Sequence, residues 1–537
     1  MRLQEKVQLR WLAVCATIGS LSPYASAVIT IGGTGNNYTP PPDGVGNYEG
    51  DLGSFTGTTI SSNVLVSATH IGSGTTSTFT FGGATYNVQM AASLDDLALW
   101  EIAPNATGSF STYAPLYTGS SEVNSPLIVV GRSVARGAAI TGGWDWSTTG
   151  SGPFSWGTNA VAAIDTDGQL GQSGAFGGDF LQFDFDNDLV DVNEGIIANY
   201  DSGGGVFVDN NGVYQLAGVN SLVNTVLDSS GNPVSASLYD EYGYYYKSAG
   251  QLAQIKTHTP ESSFATRISS KMNLIGVVDG SILPGSAASD PINNDGNLSI
   301  YANMTTGAIT GGALLTIGGP NLPTSPATLQ IAPNSGVSQI DSLTIDSGST
   351  LDITNNRLIL SNTDSSIQTT ILGYLASGYN GGHWNGTGII SSTAASGSGL
   401  YGVGYASGNV AGASGLSSGQ IEIAYTLYGD TNLDGAVNSL DFSVLASNFG
   451  KKVSGGWQVG DFAYDGVVSS VDFGLFADNF GKSASGASVA LSAGDWAALD
   501  AFAAANGISL SSVPEPASVG FVGIVGLGIL TRRRRRC

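Results

Sequence analysis

The chain has 537 residues, more than one hydrophobic core can organise, so several domains are expected. Its formal charge of −23 argues against nucleic acid as a partner. Charged residues make up 11% of the chain and glycine occupies 77 positions, a balance that favours β-modules joined by turns over helical bundles.

The N-terminus carries a basic start (Arg2, Lys6, Arg10), an apolar stretch from Trp11 to Leu21 and a small-x-small site, Ala25-Ser26-Ala27. This is the pattern of an export signal over residues 1–27. Cys15 and Cys537 are the only cysteines, so a chain trimmed at both ends would hold no disulfide. Trimming also removes basic residues and takes the charge to roughly −30.

From Val28 to Thr259, apolar runs such as Asn63 to Ser67, Leu127 to Val130 and Gly205 to Val208 alternate with Gly and Asn turns. The pattern predicts an antiparallel β-domain. Tyr244 to Ile255, with Leu252 and Ile255 three apart, suits a short amphipathic helix closing it.

Three segments of this domain supply the parts of an acyl-transfer site. Asn63-Val-Leu-Val-Ser-Ala-Thr-His70 is an apolar strand that ends in small residues and a histidine. Asp95-Asp96-Leu-Ala-Leu-Trp100 sets a carboxylate at the start of a buried strand. Asp96 fits better than Asp95, because strand alternation sends neighbouring side chains to opposite faces. Tyr200-Asp201-Ser202-Gly203-Gly204-Gly205 precedes an apolar hairpin, and a serine in a glycine-rich turn lets backbone N–H groups converge on one point. Gly171-Gln-Ser173-Gly-Ala175 is a rival serine turn, without the preceding aspartate and the following hairpin.

These segments resemble the Thr-Ala-Ala-His, Asp-Ile-Ala-Leu and Gly-Asp-Ser-Gly-Gly-Pro motifs of chymotrypsin-like serine proteases, in the same chain order. The resemblance implies a double β-barrel with His70, Asp96 and Ser202 as the triad, and the amides of Tyr200 and Ser202 as oxyanion donors. It further implies a primary pocket floored by Ile196 and walled near Leu222 and Val223, with Ser221 hydrogen-bonded to Asp96. No carboxylate lies at those pocket positions, so cleavage after small or medium apolar residues is expected. Tyr200 stands where the family has glycine, and Gly205 where it has proline. Tyr200 keeps open the alternative of a surface adhesion or matrix protein whose protease-like domain binds without cutting.

Beyond the domain, Pro260, Pro284 and Pro291 lie among Ser, Asn and Gly, which predicts a linker over 260–300. Short alternating runs, the clearest from Leu343 to Leu360, predict a β-rich stalk over 301–427, a solenoid or small sandwich.

Two similar segments, Gly429 to Gly450 and Gly460 to Gly481, then mark a duplicated module over 428–482. In the first, Asp430, Asn432, Asp434 and Asp441 offer side-chain oxygens at loop positions 1, 3, 5 and 12, with the Ala436 carbonyl at position 7 and Gly435 for the turn. Oxygen donors at that spacing suit Ca²⁺. The second copy has Asp461, Asp465, the Val467 carbonyl and Asp472, but Ala463 at position 3, so a weaker site is expected. The segment resembles a type I dockerin repeat, which implies either a cohesin-like partner or a Ca²⁺-folded spacer.

A linker with a short helix is expected over 483–512. Val513-Pro-Glu-Pro516, the apolar stretch Ala517 to Leu530 and Arg532 to Arg536 then resemble a PEP-CTERM sorting signal, spanning 513–537. That resemblance implies a Gram-negative envelope or outer-surface location, membrane contact before processing, and an exosortase as the processing enzyme. The combined expectation is a secreted, surface-displayed serine endopeptidase acting on protein or peptide substrates, with no cofactor needed for catalysis.

Overall fold

The computed structural model describes residues 28–509, leaving out 32–36, 73, 133–135, 141–142, 147–153, 167–177, 186–192, 199–200, 280–290, 295–296, 320–325, 362–364, 409–414 and parts of 224–260. The expected export signal (1–27) and sorting segment (513–537) lie outside the described residues. Among the described residues, no helix is long and apolar enough to cross a membrane.

The protein is mainly β. The chain enters on β1 (Ile29–Thr30), and six strands follow: β2 (Glu49–Leu52), β3 (Phe55–Thr59), β4 (Val64–Ala68), β5 (Thr76–Phe81), β6 (Ala84–Leu94) and β7 (Leu97–Ile102). They pair around a ring in the order β2-β3-β4-β7-β6-β5, which closes on β2. Closure leaves no free edge within the ring. Its core includes Leu65, Phe79, Phe81, Trp100 and Phe110, with the Phe79 and Phe110 rings edge to face at 5.4 Å.

The second barrel is more open. It uses β8 (Pro126–Gly131), β9 (Ser155–Ala160), β10 (Ala163–Asp165) and β11 (Phe180–Phe185), then β12 (Gly195–Ile196), β13 (Gly205–Asp209), β14 (Tyr214–Val223) and β15 (Glu261–Arg267). Seven of these form a sheet ordered β9-β8-β13-β14-β15-β11-β10, around a core containing Val129, Leu181, Phe183, Val206 and Ala217. The eighth, β12, pairs with β1. The result is the chymotrypsin-like double barrel implied by the sequence.

Two boundaries differ from expectation. Residues 243–246 and 252–255 form an antiparallel hairpin and not a helix. Tyr244-Tyr245-Tyr246 favours extended backbone, and two apolar residues three apart are too few to specify a helix. The presumed linker begins with β15, whose pairing with both β11 and β14 completes the second sheet, and continues into helix α1 (Met272–Asp279). The domain therefore runs past 259, through the strand that begins at Glu261.

The stalk is a parallel solenoid. β16 (Leu298–Ile300), β17 (Leu314–Ile317) and β18 (Ser342–Ile345) stack in parallel, aligning Leu298, Leu315 and Leu343. A second face stacks Met304–Thr306, Thr328–Ile331, Thr350–Asp352 and Gly388–Ile390 in the same sense. Such ladders of repeated apolar residues make each turn bury its neighbour's face. The solenoid continues the first barrel's sheet, since β16 also pairs antiparallel with β6 through Leu298 and Leu94.

An antiparallel pair, Tyr401–Ser407 with Ile421–Leu427, ends the solenoid and receives the duplicated module. Tyr464 Oη donates to the Val403 carbonyl at 2.8 Å, Asn479 Nδ2 to that of Leu400 at 2.7 Å, and Trp457 is fully buried. The segment after 482 is not merely a linker. Its helix Ala493–Ala505 lays Phe502 against Phe442, Phe449 and Phe473.

Candidate active site

His70 and Asp96 are brought together by strand register. β4 and β7 are antiparallel with Ala68 opposite Leu97, so the residue after β4 lies beside the residue before β7. The Thr69 N–H donates to the Asp96 carbonyl at 2.9 Å, and the His70 N–H donates to Asp96 Oδ1 at 3.0 Å. His70 lies in a short 3₁₀ turn, Thr69–Ile71, that ends at Gly72 with φ of 67°. His70 Nδ1 lies 2.8 Å from Asp96 Oδ2 and 2.9 Å from Oδ1. Asp96 is fully buried, while the His70 side chain is 25% exposed.

Asp95 and Asp96 form the two-residue connection between β6 and β7, and Asp95 adopts φ of 55°. The turn, and not alternation along a strand, sends the two carboxylates apart. Asp95 Oδ2 accepts from Lys271 Nζ, and both side chains are fully buried. Lys271 immediately precedes α1, so this pair fastens the Asp96 turn to the exit of the second barrel. No motif in the sequence marks Lys271, a cation just before an apolar helix.

Ser202 arrives from the second barrel. Gly203 has φ of +88°, and a Cβ there would stand 2.2 Å from both the Thr56 carbonyl and Ser67 Oγ. A Cβ on Gly204 would stand 2.1 Å from the Val130 carbonyl. Glycine is required at both positions by close approach of other backbone. The Gly203 N–H donates to the Asn220 carbonyl at 3.0 Å, and Asn220 Nδ2 donates to the carbonyls of Val130 and Asp201 at 2.8 and 3.2 Å.

So held, Ser202 places Oγ 2.7 Å from His70 Nε2. Carboxylate, imidazole and hydroxyl therefore form one chain of hydrogen bonds. Ser221 completes the carboxylate's surroundings by donating to Asp96 Oδ2. The β14–β15 register shifts between Asn220 and Leu222, and a bulge of this kind re-aims a side chain.

The remaining positions divide. Tyr200 and Ser173 lie outside the described residues. Ile196 is fully buried on β12, opposite Ile29 and in an apolar cluster with Phe185 and Ala198. Leu222 is half-buried, and Val223 continues β14 opposite Ser263.

In the duplicated module the two loops hold their carboxylates alike. Asp430 accepts from the amides of Asp434 and Gly435, and Asp461 from those of Asp465 and Gly466. Asp441 and Asp472 accept from the cap residues Asn438 and Ser469. Asn432 Nδ2 donates to Asp434 Oδ2, and the Ala436 and Val467 amides donate to Asp434 and Asp465. Burial first, with neighbouring carboxylates adding, pushes Asp430 up to about 7 and Asp461 up to about 6. Burial and the charge of Asp434 push Asp441 up to about 6.

Crowded, desolvated oxygens of this kind match a hard cation in donor type. Among the described residues, however, no three His, Cys, Asp or Glu side chains are grouped closely enough to hold a metal by themselves. Asn432 and the two position-7 carbonyls would have to supplement them.

No protein-family model matches the chain. No curated protein matches it either. Among solved structures it is similar to the Rv3671c protease in an inactive form, at 15% identity over 34% of this chain and 86% of that one, with a TM-score of 0.23. A serine-to-alanine variant of Rv3671c from M. tuberculosis H37Rv is similar at 12% identity over 46% and 98%, with a TM-score of 0.25. Neuropsin, a serine protease expressed in the limbic system of mouse brain, is similar at 12% identity over 45% and 96%, with a TM-score of 0.28.

Proposed function

We propose that this chain is an exported serine endopeptidase that cuts peptide bonds through an acyl-enzyme on Ser202. The observation that carries the reading is His70 standing between Asp96 and Ser202, at 2.8 and 2.7 Å, with the carboxylate buried and the imidazole open to solvent.

In this mechanism Ser202 Oγ bonds to the scissile carbonyl carbon while its proton passes to His70 Nε2. The C–N bond then breaks, and His70 gives that proton to the leaving amine. Water, deprotonated by the same imidazole, attacks the ester and releases the acid. Asp96 orients the imidazole and stabilises the imidazolium. The amides of Ser202 and Tyr200 are assigned to the oxyanion.

Ile196, Leu222 and Val223 are assigned to the primary pocket, which favours small or medium apolar residues before the cut. Cleavage after Ala27 would free the amino group of Val28, and the full burial of Val28 and Ile29 supports maturation on export.

The duplicated module is assigned Ca²⁺, through Asp430, Asn432, Asp434, the Ala436 carbonyl and Asp441, and more weakly through Asp461, Asp465, the Val467 carbonyl and Asp472. When bound, the ion would offset the mutual repulsion of these carboxylates. Packing of the module on the solenoid favours a spacer over docking to a cohesin-like partner. Display on a Gram-negative surface after exosortase processing completes the proposal.

The test is labelling of residues 28–512 by a fluorophosphonate together with casein hydrolysis. Label and turnover should both vanish in Ser202→Ala while the domain stays folded. A folded wild-type chain that neither labels nor cuts would favour the adhesion protein.

A further inference from the structure

Glu49 opens the first barrel on β2, yet it reaches the nucleophile turn of the second. Its Oε1 accepts from Thr58 Oγ1 on β3 at 2.8 Å and from the Gly205 N–H at 3.2 Å, three residues beyond Ser202. The second bond needs a residue other than proline at 205, because the proline found there in the resembled family has no N–H to give. The fit is close: a Cβ on Gly205 would stand 2.6 Å from Glu49 Oε1.

Glu49 is buried, and its other oxygen, Oε2, has no hydrogen-bond partner. Around it β3 presents Thr58, while β13 presents Gly205 and the Phe207 ring. Asp51, the other acid on β2, is paired with Arg132 at the end of β8. A carboxylate in this place would leave a charged oxygen desolvated with no cation against it.

We propose that Glu49 is a positioning residue that holds the Ser202 turn from the opposite barrel, and that it works as a neutral carboxylic acid. Burial, with no charged neighbour contributing, pushes the group up to about 8, which agrees with the geometry. The backbone bond from the Thr56 N–H to the Ser202 carbonyl, 3.5 Å long, joins the same two regions, so the Glu49 bond reinforces a long contact. Ionisation would leave Oε2 charged and desolvated with no cation against it, a cost relieved when the side chain turns toward water; that movement would release the Gly205 N–H and loosen the Ser202 turn.

The catalytic part rests on the endopeptidase reading, so the test has an arm that does not. The unfolded chain ionises this group near its ordinary value of 4.5 and the folded chain near 8. Between those pH values the unfolded state releases the proton first, so wild-type stability falls as pH rises. Glu49→Gln, which keeps an acceptor for both donors, removes that loss. Its melting temperature should gain on wild type between about pH 5 and 8, then hold a constant lead.

Amide exchange at Gly205, referenced to the same amide in Glu49→Gln, should accelerate in wild type above about pH 8. If the chain cuts peptides, wild-type kcat should fall about tenfold per pH unit above 8. Glu49→Ala should lose kcat with KM little changed, and Glu49→Gln should restore it and move the alkaline limb upward. Identical pH–stability curves and identical Gly205 exchange in wild type and Glu49→Gln would overturn the proposal whether or not the chain is an enzyme. Absence of turnover, with both differences present, would overturn only the endopeptidase reading.

Discussion

The two barrels contribute to the site in different ways. The first supplies His70 and Asp96 from one antiparallel ladder inside a closed ring, so the register that forms the barrel also forms the pair. The second supplies Ser202 from a glycine turn whose position depends on contacts with the first, through Thr56, Ser67 and Glu49. A pair made within one sheet is as stable as the sheet. A group placed across an interface is only as well aligned as the contacts that cross it, which is where alignment can be lost without unfolding.

That contrast can be broken most severely at its centre. Asp96→Asn should keep the shape of the first barrel but favour the wrong imidazole tautomer, lowering kcat about 10⁴-fold with KM little changed, as steady-state kinetics would show. Retained activity would mean that the within-sheet pair is not the working one.

The next effect concerns the brace behind that pair. Lys271→Met strips the buried Asp95 of its cation and should cost about 3–5 kcal/mol in chemical denaturation. The double variant Lys271→Met/Asp95→Asn should recover a large part of it. Equal losses in the single and double variants would show that packing, and not charge pairing, ties the Asp96 turn to α1.

The smallest effect sharpens the comparison. Ser221 comes from the second barrel but supports the first barrel's carboxylate. Ser221→Ala removes one hydrogen bond to a charged group and should reduce kcat roughly 10- to 100-fold, with a stability loss of no more than about 1.5–3 kcal/mol. A large drop in melting temperature with kcat unchanged would make the contact structural.

Much of the site was legible because its chemistry is local in sequence. A strand ending in Ser-Ala-Thr-His70, a carboxylate pair before Leu-Ala-Leu, and Asp-Ser-Gly-Gly-Gly each state a backbone shape and a reactive group within a few residues. What escaped was long-range. Glu49 and Lys271 sit in segments with no motif, and their significance arises only from Gly205 and Asp95, respectively 156 and 176 residues away. The solenoid's docking on β6 through Leu298 was hidden for the same reason, since pairing partners leave no mark on composition.

The sequence by itself determined the mainly β character, the antiparallel β-domain and the repeat nature of stalk and module, because alternation, glycine turns and duplication are written in consecutive residues. Only the tertiary structure decided where that domain ends, how the turn sends the two adjacent aspartates apart, and which buried acid reaches the nucleophile turn. Those outcomes depend on register, turn conformation and burial, which exist only once distant segments have packed together.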